Sequence, residues 1–163
     1  MRARVIRSPR GTRSAWVLLL MILAPMLQAQ ADPRTNYLLH CMGCHQPEGA
    51  GTAMGIPALR DRVGYYLDLP GGRDYLLHIP GARNAPLKDD ELASVMNWVI
   101  EQFAGRSLPA RWERFTASEV AQARAAKPVD IDAWRAKLWA QLPAQEVAAS
   151  NADATPASKA TLY

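Results

Sequence analysis

Two thiols and an imidazole stand together in Cys41-Met42-Gly43-Cys44-His45, and the 163-residue chain holds no other cysteine. Three chemistries suit that order. A C-x-x-C pair can shuttle electrons as a dithiol, a site that ordinarily follows a strand in a βαβ unit. A tetrahedral zinc site needs four ligands, and Cys41 and Cys44 with two of His40, His45 and His78 would supply them. Covalent haem attachment uses the same groups differently: both thiols become thioethers on the porphyrin vinyls, and the next histidine ligates the iron. The preceding "TNYLLH" reads as the tail of a short helix with no strand pattern, and the distance to His78 fits no usual zinc finger. Two thiols on one turn can reach two vinyls on one porphyrin edge. The motif therefore reads as attachment of one haem c, with Cys41 and Cys44 as anchors and His45 as axial iron ligand.

The compartment agrees with that chemistry. Residues 1–16 hold five arginines, no two adjacent, and no acid; the apolar run Ala15–Leu27 follows, then Ala29-Gln30-Ala31. A basic start, a short apolar stretch and an A-x-A site spell a Sec-type signal peptide cut after Ala31. A run of 13 residues interrupted by Pro25 falls short of a membrane span, which wants about 20. The expected product is a periplasmic chain with no membrane span, where free thiolates would tend to form a disulfide and thioethers would persist. Five of the 19 Lys and Arg leave with residues 1–31 and none of the 15 Asp and Glu, so 14 basic groups face 15 acidic ones, a net −1. The pI near 9.3 describes the precursor. Without a basic footprint, nucleic-acid binding loses its support.

The elements around the motif read as helices. Asp32 and Pro33 begin one that runs into Cys41, as N-cap and first helical residue. "QPEGAGTAMGIPALRDRVG" is glycine-rich loop, and "LPGGRDYLLHIPG" frames a short helix between two turns. Leu92, Val95, Met96, Val99, Ile100 and Phe103 fall at i, i+3, i+4, i+7, i+8 and i+11, the stripe of an amphipathic helix stopped by Gly105. No alternating strand is found. The fold class is all-α, a small helical domain that gains core from a covalent apolar plate it could not build alone.

With these elements in place, residues 32–105 resemble the class I c-type cytochromes. CMGCH ends an N-terminal helix, "GIPAL" puts Pro57 twelve residues after His45, and "PLKDDELASVMNWV" looks like the family's final helix. The resemblance implies that the Pro57 carbonyl accepts the Nδ1 proton of His45, fixing the ring and raising its basicity. It also implies that Tyr37 and Trp98 meet where the first and last helices cross. The family supplies a methionine to the iron from the loop before the final helix. Here that loop, residues 79–88, contains no Met, His or Cys.

The sixth position therefore stays open among several readings: vacant or weakly held, with Asn84 as a displaceable ligand; held by His78; or held by Met54, Lys88 or a partner's side chain. Met42 sits inside the attachment turn, Met96 lies on the apolar stripe and His40 faces solvent. Tyr75 and His78, at i and i+3, share a helical face in the element the resemblance places beside the distal pocket.

Residues 106–142 form a helical extension outside the resemblance. Thr116 and Glu119 make a capping box, and Ile131, Trp134, Leu138 and Trp139 recur at near-helical spacing. These helices are expected to cover the core, burying Trp112, Phe115, Trp134 and Trp139; the other reading is a docking surface for a redox partner. Residues 143–163 are Ala/Ser/Thr-rich and expected to be disordered. The organisation is thus signal peptide 1–31, haem domain 32–105, extension 106–142 and tail 143–163. The function expected is an exported monohaem electron carrier, no enzyme in itself, between a periplasmic redox protein or dehydrogenase and an acceptor. The alternative is a haem protein whose open iron binds or senses O₂, NO, CO or peroxide.

Overall fold

The structure, a computed structural model, describes residues 32–52, 55–142 and 144. Residues 1–31, expected to be a signal peptide, Met54 and nearly all of residues 143–163 lie outside the described residues. Among those described there is no strand, and the fold is all-α as expected.

Helix α1, Pro33–His40, opens with Asp32 accepting from Thr35 N at 3.3 Å and Pro33 in its first turn. A single turn α2, Met42–His45, follows after Cys41 leaves helical dihedrals (φ −124°, ψ −38°). The long helix α6, Asp89–Phe103, starts where Lys88 N donates to Glu91 at 2.9 Å. Asp89, Asp90 and Glu91 fill its first turn, where negative charge meets the positive end of the helix dipole. Its apolar stripe is buried in full, Leu92 through Phe103. α1 packs on α6 through three rings: Tyr37 lies 5.1 Å from Trp98 and 5.2 Å from Phe103.

Three short helices connect these two: α3, Tyr65–Asp68; α4, Gly72–His78; and α5, Pro80–Arg83. α5 occupies a stretch expected to be loop. Pro80 at its first position needs no N–H partner there and carries a preset φ, so four residues close one turn before Asn84.

Helices α7, Ala117–Ala125, and α8, Ile131–Trp139, belong to the same compact unit as α1–α6. α7 begins at the expected capping box, Thr116 N donating to Glu119 at 2.8 Å. Phe115, Val120, Ala123 and Leu138 are buried in the common core. The tryptophans correct the expectation: Trp112, Trp134 and Trp139 are only half-buried, packed on the core with an edge in solvent. Two of these rings meet tyrosines, with Trp139 Nε1 donating to the Tyr66 hydroxyl and Trp134 edge-on to Tyr75 at 5.7 Å, as suits an apolar ring with a polar rim.

Polar contacts fasten the extension. Asn97 on α6 is buried, and its amide bonds both ways with the Phe115 backbone, donating to O at 3.0 Å and accepting from N at 2.6 Å. Arg73 on α4 donates to Glu119 Oε1 at 2.6 Å and to the carbonyls of Glu113 and Arg114, with its guanidinium 4.2 Å from the Phe115 ring centroid.

Candidate functional site

The site is built where α1 runs out. Cys41 N still bonds back to Tyr37 O at 2.9 Å, and Cys44 N and His45 N both bond to Cys41 O, at 3.2 and 3.0 Å. One tight turn thus presents the two thiols and the imidazole. Cys44 is exposed, Cys41 half-buried, and neither is in a disulfide. Tyr37, fully buried, locks the turn from below through its hydroxyl, which donates to Gln46 O at 2.7 Å; burial first, then Cys41 and Glu48, push that phenol up to about 12.

Beyond Gln46 (φ +64°) the chain doubles back. His45 O accepts from Gly51 N at 3.1 Å, and Gly49 O accepts from Leu59 N and Arg60 N. Gly51 has φ +69°, and a Cβ there would lie 2.4 Å from Ile56 O and 2.7 Å from Ala58 N. A residue without a side chain lets the two backbone passes touch, and that contact brings Pro57 beside the histidine. His45 Nδ1 lies 3.1 Å from Pro57 O. A carbonyl only accepts, so Nδ1 carries the proton and Nε2 keeps its lone pair. Burial holds the imidazole below its usual 6.5, partly offset by the Pro57 bond, so the ring is neutral at neutral pH.

This donor set separates the three chemistries. Burial, and then the neighbouring Cys44, push the Cys41 thiol up to about 11, whereas dithiol shuttles work through thiolates of depressed pKa. Among the described residues no group of three or more His, Cys, Asp or Glu comes together to hold a metal ion, so a four-ligand zinc site is not assembled. Two unpaired thiols on one turn, beside a neutral imidazole with a free Nε2, fit a covalently attached haem.

The candidates for the sixth position fall elsewhere. His78 and Asn84 line one cleft of about 310 Å³ with Pro80, Arg83, Pro128, Val129 and Ile131, and none of the motif residues lines it. His78 Nδ1 donates to Asp74 O at 2.8 Å, which leaves its Nε2 lone pair free, and its ring sits 5.4 Å from Trp134. Asn84 and Lys88 are exposed, His40 is exposed, and Met96 is buried in the core. Tyr75 is buried and its hydroxyl accepts from Arg135 Nε at 2.8 Å. Sequence reasoning missed Arg124 on α7. Its guanidinium reaches into residues 83–89, and an arginine in the last turn of a helix carries no sign in the sequence of which distant carbonyls it meets.

No family model matches the chain. Among curated proteins it is similar to a cytochrome c-552 of Thermus thermophilus, 32% identical over 138 residues that cover 72% of this chain and 93% of that protein. A second cytochrome c-552 of Thermus thermophilus is 33% identical over 129 residues, covering 67% of this chain and 98% of its own. Both matches take in a larger share of the chain than residues 32–105 make up, so the likeness reaches past that segment.

Proposed function

The chain belongs to the class I c-type cytochromes, and from that premise we propose that it is an exported monohaem carrier of single electrons between periplasmic redox proteins. Its cofactor is one covalently bound haem c, and when bound the iron supplies a one-electron couple between ferrous and ferric states. In this reading Cys41 and Cys44 hold the porphyrin, and His45 ligates the iron through Nε2. The Pro57 carbonyl holds the Nδ1 proton, which keeps the ring in one tautomer and raises its donor strength. The observation that carries the proposal is the His45–Pro57 hydrogen bond, 3.1 Å, beside two unpaired thiols on the same turn. Residues 1–31 act as a signal peptide, and no helix of the described residues is long and apolar enough to cross a membrane.

One observation favours a second reading. Residues 79–88, which border the sixth side of the iron in this family reading, hold no Met, His or Cys, so the iron would accept O₂, NO, CO or peroxide. The test is to produce the chain with haem-attachment machinery and record the reduced spectrum with and without carbon monoxide. A low-spin spectrum unmoved by CO is the expected result for the carrier. Rapid CO binding at neutral pH would put ligand binding in its place, and a chain without covalent haem would overturn both.

A further inference from the structure

The segment between α5 and α6 is irregular backbone, and its carbonyls have few partners within the segment. Beside a few local backbone bonds and the packing of Ala85 and Leu87, one arginine on α7 holds it. Arg124 donates from Nε to Arg83 O at 3.2 Å, from Nη2 to Ala85 O at 2.9 Å, and from Nη1 to Leu87 O at 2.9 Å and Asp89 Oδ1 at 2.6 Å. One planar fork thus spans three alternate carbonyls and the first residue of α6, a use that a lysine's point charge cannot copy. The grip is reciprocal. Arg83 Nη2 donates to Arg124 O at 3.0 Å and to Ala126 O, the carbonyls left over at the C-terminus of α7, where a cation also meets the negative end of the dipole.

We propose that Arg124 is a positioning residue for residues 83–89: it clasps that segment to the extension and so keeps the sixth side of the iron closed. The proposal rests on the functional reading above, in which this segment borders the iron. The extension then does more than cover apolar surface. It sets how often the segment opens, and with that how readily a small ligand reaches the metal. Three charged fork bonds to backbone and one to a carboxylate are lost together when the guanidinium is replaced, and each such bond is worth enough to change an open population by about tenfold.

The test compares two arginines that anchor the same helix. Arg124→Lys keeps the charge and loses the fork. Arg73→Gln loosens α7 through Glu119 and the Glu113 and Arg114 carbonyls, and its bonds reach none of residues 83–89. Both are made in the full-length holoprotein, alongside Arg124→Gln, and read by the CO association rate of the ferrous form and by the midpoint potential. The expected result is a CO rate at least about tenfold above wild type, or CO binding where wild type shows none, in the Arg124 variants alone. If Arg73→Gln moves rate and potential as much, or if both Arg124 variants match wild type, Arg124 only glues two elements together and the proposal fails. Should one Arg124 variant not fold, the other and the Arg73 control still decide. A wild-type chain lacking covalent haem would instead strike the functional reading, and this proposal with it.

Discussion

Gly51 shows how one residue type decides the chemistry several positions away. Its φ of +69° lies in the left-handed region, and a Cβ would collide at 2.4 Å with Ile56 O, a backbone atom with nowhere to go. Gly51→Ala therefore combines a strained φ with a forced displacement of residues 56–58, at a cost of about 2–3 kcal/mol. The shift has a chemical signature besides the loss of stability. Pro57 O moves away from His45 Nδ1, the imidazole loses its fixed tautomer, and the bound iron loses a strong donor. Denaturant unfolding of the holoprotein should show the destabilisation, and its midpoint potential should rise relative to wild type. An unchanged potential in a destabilised variant would separate the fold of the loop from the tuning of the histidine.

At the scale of elements, α7 is fixed to α4 by charge as well as by Phe115, Val120 and Ala123. The hydrogen bond from Arg73 holds the Glu119 carboxyl at about 2 against its ordinary 4.5; burial works the other way, and Thr116 adds to the lowering. A carboxyl depressed in the folded state contributes stability above pH 4.5 and loses it as pH falls towards 2. The pair is about one-third exposed on both sides, so solvent screening leaves at most about 1 kcal/mol. Glu119→Gln should lower stability at pH 7 and show a shallower loss between pH 4.5 and 2, read by thermal melts along a pH series. The capping box that starts α7 and the stripe of α6 were legible in the sequence, because caps and period 3.6 are local. The turn α5 was hidden in a proline-glycine stretch that reads as loop. The arginine clasp and the Asn97–Phe115 pair were not legible either, since all their partners but the Asp89 carboxylate are backbone groups 18 to 43 residues away and any residue type supplies those. The site divides the same way. The attachment turn and the Pro57 partner follow from a short motif, while the iron's sixth neighbour depends on how distant segments close.

For the whole molecule, the question is whether residues 32–105 stand alone. The core argues that they do not. Phe115, Val120, Ala123 and Leu138 are each at most 5% exposed within the same cluster as Leu76, Leu77, Val95 and Ile100. Removing residues 106–163 would forfeit those four side chains' contribution, about 1.5–3 kcal/mol for each of the larger ones, and bare the apolar faces they cover. It would also leave the Asn97 amide without its Phe115 partners. Such a sum is of the order of a small domain's entire stability, roughly 5–15 kcal/mol. A chain ending at residue 105 should therefore bind a hydrophobic dye and lose its cooperative thermal transition, even with haem attached. A haem-loaded 32–105 fragment that melts cooperatively at the full-length temperature would show the extension to be an accessory, and would shift the weight of the fold onto the haem itself.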